Sequence, residues 1–364
     1  MKHNVLLTGG HAGTTALAVI EEIQKKHDWK IYWVGPKHAV EGKRNLTLEF
    51  KLFPDYNVTC LPIRAGRIQR KFTKHTIPAL VRIPVGIVQA FGLVMRVKPK
   101  VILSFGGFAG FPVVVAGFLL GIQVVVHEQT VAVGLANKHS ARFARKITLA
   151  RAESAKYFPK DKVVVVGNPM LSQVRSVTPK TAIGAPPQLF ITCGSRGSQI
   201  INRALAPIIP TLLAEYEITH QTGDLDIEEF LSIKKALPLN LQKKYHPTAF
   251  YEPTSIGTYY SKADIIIARA GANTVSEVIY VKRPTLFIPI PWSRYNEQTK
   301  NAEFARDLGI ARVIHQNDLA PDVIQKEVEY LKSHWKKMVQ EMKTPPIKDE
   351  SAAASVVDIM DTWL

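Results

Sequence analysis

The sequence predicts an α/β protein made of two doubly wound parallel-sheet domains, and three observations predict it. Short apolar runs alternate with helical stretches along the chain, the pattern of repeated strand-helix-strand units. A Pro- and Gly-rich segment near the middle interrupts this alternation, which then starts again. Several apolar runs end in glycine turns that open helices, as buried strands of a parallel sheet do. At 364 residues the chain is long for one domain and comfortable for two, each with its own core.

The elements follow in order. Asn4–Leu7 reads as a strand, Thr15–Lys26 as a helix and Lys30–Val34 as the next strand. Thr59–Ile63, Val101–Ser104, Gln123–His127 and Val163–Val166 complete the strands of the first domain, 1–175. Phe111 to Val126 is the most apolar region, but it is short for a membrane span and is broken by Pro112, Gly117, Gly121 and Gln123. A buried helix followed by a buried strand accounts for it. The linker is 176–188, with Pro179, Gly184, Pro186 and Pro187. The second domain, 189–346, starts with strand Leu189–Cys193 and continues through Glu217–Gln221, Ile265–Ala268 and Thr285–Pro289. After Pro345-Pro346 the end of the chain, 347–364, carries an amphipathic helix expected to pack back on the first domain. Two such domains imply a cleft between them, a usual place for a ligand.

Composition narrows the function. Hydrophobic residues make up 46% and charged residues 21%, as in a globular protein. Cys60 and Cys193 stand far apart without ligand-spaced neighbours, which argues against a disulfide scaffold or zinc site and fits a reducing cytoplasm. The N-terminus runs straight into a strand, with no signal peptide in view. A formal net charge of +17, from 47 Lys+Arg against 30 Asp+Glu, calls for an anionic partner: nucleic acid, anionic lipid or a phosphorylated substrate.

Glycine turns locate the candidate chemistry. Thr8-Gly-Gly-His-Ala-Gly13 follows the first strand, but the second strand ends in Gly35-Pro36 rather than the acidic residue that a dinucleotide site wants, which counts against a nicotinamide or flavin enzyme. His11 is either a general base or a cap. Ser104-Phe-Gly-Gly-Phe-Ala-Gly-Phe-Pro112 permits close approach of a ligand or simply tight packing. His127, Glu128 and Gln129 end the next strand, where open α/β sheets place their chemistry; Glu128 is a candidate base. Cys193-Gly-Ser-Arg-Gly-Ser198 opens the second domain, with backbone N–H groups and the Ser195 hydroxyl suited to a diphosphate. Ala263 to Glu277 repeats the arrangement. Gly271 makes the turn, and Asn273, Thr274 and Ser276 are expected to open the helix. Glu277 lies about one turn in, where a carboxylate could accept the hydroxyls of a ribose.

In this order, the segments resemble those of the MurG family, which transfers N-acetylglucosamine from UDP-GlcNAc to lipid I, the undecaprenyl-diphosphate-linked muramyl peptide. The resemblance runs over nearly the whole chain, through Thr8-Gly-Gly-His11, Phe105-Gly-Gly-Phe108, His127-Glu-Gln129, Gly134-Leu-Ala-Asn-Lys138, Gly167-Asn-Pro169, Gly194-Ser-Arg-Gly197, Arg269 to Glu277, and Gln298-Thr-Lys-Asn-Ala302. It implies a GT-B fold and a cell-wall enzyme forming lipid II by inverting transfer, peripheral to the cytoplasmic face of the cell membrane. It also implies no tightly bound metal, and the chain has no Asp-x-Asp.

By that resemblance, the donor site takes Thr8, Gly9, Gly10, Ser195, Arg269, Gly271, Ala272, Asn273, Thr274, Val275, Ser276, Glu277 and Gln298, with Gln298 on the sugar hydroxyls. The acceptor side takes His11 and Glu128 as catalytic candidates, with Gly106, Gly107, Thr130 and Asn137. Some positions depart from the family. Thr130 replaces a frequent Asn, Met170-Leu171 stands where an Arg is expected, Leu7 and Cys193 replace glycines, and Gly13-Thr-Thr15 replaces a proline-containing segment. The segment Arg64 to Lys100 interleaves Arg67, Arg70, Lys71 and Lys74 with Phe72, Ile77 and Leu80, which suits an anionic membrane surface better than nucleic acid. Two rival readings are a hexosyltransferase acting on diacylglycerol and a non-catalytic, membrane-docked nucleotide-sugar-binding protein.

Overall fold

The computed structural model describes residues 2–10, 12–38, 46–65, 76–194 and 197–364, with backbone alone over 76–83 and at 294. It divides into two compact units, 1–171 with 347–364, and 172–346.

The first unit is a seven-stranded, fully parallel sheet. Its strands are β1 (Asn4–Thr8), β2 (Lys30–Gly35), β3 (Thr59–Pro62), β4 (Val101–Ser104), β5 (Gln123–Glu128), β6 (Lys146–Leu149) and β7 (Val163–Val165). The order is β3-β2-β1-β4-β5-β6-β7, so the direction of winding reverses between β1 and β4. Thr8 of β1 pairs with Ser104 of β4 at the carboxyl ends flanking that switch point. The Gly107–Leu119 helix and strand β5 confirm the reading of the apolar region. β4 and β5 are buried along almost their whole length, as parallel strands covered on both faces must be. The first helix begins at Gly13 rather than Thr15.

The chain's final segment returns to this unit. Arg151 makes a bidentate pair with Asp349 at 2.7 and 2.8 Å, and Asp349 also accepts the Asn168 N–H at 2.9 Å. The Ala352–Asp361 helix packs on the Gly13–Lys26 helix, with Lys26 donating to Asp358 at 2.7 Å.

The second unit is a six-stranded parallel sheet. It comprises β8 (Gln188–Thr192), β9 (Glu217–Gln221), β10 (Tyr245–Thr248), β11 (Ile265–Ala268), β12 (Thr285–Phe287) and β13 (Ala311–Val313). The order is β10-β9-β8-β11-β12-β13, so its switch point lies between β8 and β11, where Thr192 pairs with Ala268. Asp264, fully buried just before β11, fixes the start of β8. Its Oδ2 accepts the Gln188 N–H at 2.8 Å while its Oδ1 accepts from Lys180 at 2.8 Å.

Candidate functional site

In the second unit the turns after β8 and β11 flank the switch point. Gly194 has φ +76° and Gly271 is half-buried, and a Cβ at either would meet nothing within 4 Å among the described residues. The backbone here is open. Gly197 (φ +68°) is different, because a side chain would collide with the Thr222 carbonyl.

The helix after β11 runs Ala272–Val281 and its N-cap is Gly271, with no side-chain cap. Gly271 makes the turn as expected, but the expectation that Asn273, Thr274 and Ser276 open the helix is corrected: they fall inside it and none caps it. Its positive end therefore points off a residue with no side chain to cover it. Gly271, Ala272, Asn273 and Thr274 are half-buried, whereas Val275 and Ser276 are buried, so their side chains face inward.

Arg269 braces this end of the sheet. Nη1 donates to the Ile288 carbonyl at 2.9 Å, and Nη2 donates to Ser198 Oγ and Gln316 Oε1 at 2.8 Å each. Burial lowers its pKa. Burial also pushes the Cys193 thiol up to about 12, so it is a neutral thiol at physiological pH rather than a nucleophile. Glu277 is 9% exposed, and its Oε2 accepts the Tyr260 hydroxyl at 2.8 Å. Burial raises the pKa of both groups. Gln298 closes the loop after β12: its Oε1 accepts the Ile290 N–H at 3.0 Å and its own N–H donates to Ser293 Oγ at 3.2 Å. Asn301 donates to the Ala270 carbonyl at 3.2 Å, tying the Glu297–Asp307 helix to the turn.

Behind the first turn lies a buried network that sequence reasoning missed. Asn202 Nδ2 donates to the Thr222 carbonyl at 2.7 Å and to Asp226 at 2.6 Å, while Asn202 Oδ1 and Tyr245 Oη bond the two nitrogens of His220 at 3.1 and 3.0 Å. Burial lowers the His220 pKa to about 3. Only tertiary packing brings these residues together, so no local pattern announced them. A cavity of about 510 Å³ in this unit reaches the beginnings of β8 and β9, at Gln188 and Glu217, and shares no residue with the turns.

In the first unit the glycine turns pack on each other. Gly107 (φ +79°) leaves no room for a Cβ, which would lie 2.8 Å from the Gly10 nitrogen, and Gly9 backs on Trp33 and Phe105. Thr8 is fully buried and donates to the Val34 carbonyl at 2.8 Å. Thr8, Gly9 and Gly10, grouped above with the donor residues, belong to the first unit, and Arg269, Glu277 and Gln298 to the second. Glu49, which sequence reasoning also passed over, accepts the Ala12 N–H at 3.1 Å and secures this turn.

Glu128 is 3% exposed, and both oxygens are occupied. Oε1 accepts the Thr130 N–H at 3.1 Å and the Thr130 hydroxyl at 2.8 Å; Oε2 accepts the Gly134 N–H at 3.2 Å and Asn137 Nδ2 at 2.9 Å. Burial nonetheless raises its pKa. Asn137 also donates to the His127 carbonyl at 3.1 Å and lies against Gly106, where any side chain would strike its amide. His127, held neutral by burial with a pKa near about 3, bonds Thr148 at 3.0 Å. His11 and Ser195 lie outside the described residues, as do Arg67, Arg70, Lys71, Phe72 and Lys74. Ile77 and Leu80 fall in the Thr76–Val97 helix, but their side chains lie outside the description. Among the described residues no three His, Cys, Asp or Glu side chains are grouped to hold a metal ion.

Comparison with known proteins covers both units. Residues 5–149 match the glycosyltransferase family 28 N-terminal domain, and residues 188–361 match its C-terminal domain. The chain is similar to a Bacillus thuringiensis (strain Al Hakam) UDP-N-acetylglucosamine–N-acetylmuramyl-(pentapeptide) pyrophosphoryl-undecaprenol N-acetylglucosamine transferase, at 30% identity over 91% of this chain and 92% of the relative. A Clostridium botulinum protein of the same name is 28% identical over 91% of each. The crystal structure of Acinetobacter baumannii MurG superposes with a TM-score of 0.70 at 26% identity, covering 99% of both chains.

Proposed function

Since the chain belongs to glycosyltransferase family 28 through both of that family's domains, we infer that it transfers N-acetylglucosamine from UDP-GlcNAc to lipid I, giving lipid II for peptidoglycan. Relatives similar over nine-tenths of the chain carry that activity in their names. The observation that carries the donor assignment is the pair of uncrowded turns at Gly194 and Gly271, beside a helix start with no side-chain cap.

Chemically, the acceptor hydroxyl oxygen forms a bond to the anomeric carbon as that carbon's bond to the β-phosphate oxygen breaks. The electron pair leaves with UDP, and the hydroxyl proton passes to a base. Configuration inverts in the single displacement. The start of the Ala272–Val281 helix and the Arg269 cation stabilise the charge growing on the diphosphate, so the reaction proceeds without a tightly bound metal. Glu277 takes the ribose hydroxyls and Gln298 the sugar. For the base, the four donors already on Glu128 support His11, with Glu128 shaping the 129–134 loop.

The acceptor is lipid-linked, and the first unit has a surface suited to a membrane. Val85, Val88 and Met95 are exposed on the Thr76–Val97 helix, as are Phe118, Leu119 and Leu120 at the end of the adjoining Gly107–Leu119 helix. Arg96, Arg142 and Arg145 are exposed in the same unit. Apolar side chains beside basic ones suit peripheral docking on anionic lipid. No helix among the described residues is long and apolar enough to cross a membrane.

The test supplies radiolabelled UDP-GlcNAc in anionic liposomes, with a lipid I analogue or with diacylglycerol, in the presence and absence of EDTA. Label moving to the lipid I analogue in both conditions is expected. Label moving only to diacylglycerol, or binding without transfer, would overturn the assignment.

A further inference from the structure

Recognising a ribose through one carboxylate requires that carboxylate to hold one orientation. A glutamate side chain has several rotatable bonds, and fixing them has an entropic cost met at each binding event unless the protein fixes them first. Tyr260 does so. It lies on the Ile256–Lys262 helix, 1% exposed, with Phe190 packed edge-on against its ring at 6.0 Å and 82°. From there its hydroxyl donates to Glu277 Oε2 on the neighbouring Ala272–Val281 helix at 2.8 Å. A ring held in the core has no alternative position for that hydroxyl. Holding one oxygen sets the plane of the carboxylate and so the direction of the other. The contact also gives a buried acid a hydrogen-bond partner while the site is free of substrate.

We infer that Tyr260 is a positioning residue for the donor: its hydroxyl orients Glu277 so that the second carboxylate oxygen meets the ribose hydroxyls. The site thereby selects a ribonucleotide donor over a 2′-deoxyribonucleotide one. The inference rests on Glu277 as the ribose acceptor, as proposed above, and the experiment separates the two. Tyr260 escaped the sequence reading because it lies before β11 and shares no motif with Glu277; only the tertiary hydrogen bond joins them.

Steady-state kinetics of the full-length wild type, Tyr260→Phe and Glu277→Gln are measured with UDP-GlcNAc and with its 2′-deoxyribose analogue, alongside melting temperatures. The wild type should prefer the ribose donor by about tenfold or more in kcat/KM, the scale of one hydrogen bond to a charged group. Tyr260→Phe keeps the ring. It should raise KM for UDP-GlcNAc about fivefold with kcat within about twofold, and shrink the preference to about twofold. Glu277→Gln should abolish the preference. A Tyr260→Phe enzyme with undiminished preference, beside a Glu277→Gln enzyme that has lost it, would reduce Tyr260 to a packing residue and overturn the inference. Full preference in Glu277→Gln would remove the ribose assignment itself, and the inference with it.

Discussion

Replacing Glu128 by Gln separates two roles that a carboxylate at the end of β5 could play. In the wild type, four donors converge on its two oxygens: the Thr130 N–H and hydroxyl on one, the Gly134 N–H and Asn137 amide on the other. An amide presents one acceptor oxygen and one NH2 group, so either orientation sets NH2 against a backbone N–H. If NH2 faces Thr130, the hydroxyl gives its one proton to the Ala132 carbonyl at 2.6 Å and can accept from the NH2, but the Thr130 N–H is orphaned. If it faces the other way, Asn137 retains the His127 carbonyl, but the Gly134 N–H is orphaned. At least one charge-assisted bond is lost outright, at about 1.5–3 kcal/mol. Removing a buried charge offsets part of this, leaving a net loss of about 1–2 kcal/mol in the first unit. Urea denaturation should show that loss, and hydrogen exchange should show faster opening at the 130 and 134 amides. The pH dependence adds a check. Burial raises the folded-state pKa above its ordinary value of 4.5, so protonation of Glu128 contributes stability that is complete below pH 4.5 and lost as pH rises through the folded value. That slope should vanish in Glu128→Gln. A variant with wild-type stability and exchange but no turnover would refute this reasoning and make Glu128 the base.

Two further predictions concern packing and acid. Gly107→Ala should destabilise the first unit by about 2–4 kcal/mol, combining a left-handed backbone with a Cβ forced against the Gly10 backbone; an unchanged denaturation midpoint would contradict the close approach of the two turns. His220 is held neutral down to about pH 3, whereas in the unfolded chain it takes up a proton below about 6.5. Stability of the second unit should therefore fall by about 1.4 kcal/mol per pH unit as pH drops below that value. His220→Gln should flatten the slope, and an identical acid profile in that variant would count against the buried, neutral imidazole.

The strands most legible in the sequence were those buried on both faces. Val101–Leu103 and Ile265–Ala268 are uninterrupted apolar runs, and the structure places the expected strands at Val101–Ser104 and Ile265–Ala268, each beside its sheet's switch point. Three strands went unread. Tyr245–Thr248 and Ala311–Val313 lie at the two edges of their sheet, where one face of pairing suffices and a strand can be short, polar or, at Pro247, unable to donate. Lys146–Leu149 lies inside its sheet but alternates a polar residue into a four-residue run. Capping was misread for a related reason. Gly271 makes the turn as the sequence indicated, but Asn273 and Thr274, whose side chains signal a helix start, fall inside the helix and do not cap it.

The same distinction decides what a glycine turn means. In sequence, Gly9-Gly10, Gly106-Gly107, Gly194 and Gly271 look alike, each a relaxation of backbone sterics after a strand. The structure separates them by what a side chain would meet. At Gly9, Gly106 and Gly107 it would meet Trp33, the Asn137 amide and the backbone of the opposing turn, so those glycines are needed for the protein's own packing and fix the floor beneath Asn137 and Glu128. At Gly194 and Gly271 it would meet nothing among the described residues. At Gly194 the left-handed backbone (φ +76°) already calls for glycine, whereas at Gly271 neither crowding nor backbone conformation does. In the proposed function, a side chain at Gly271 would obstruct a phosphate approaching the helix start. The proposed diphosphate site rests on the second pair, whereas the first pair is accounted for by the packing of the first unit.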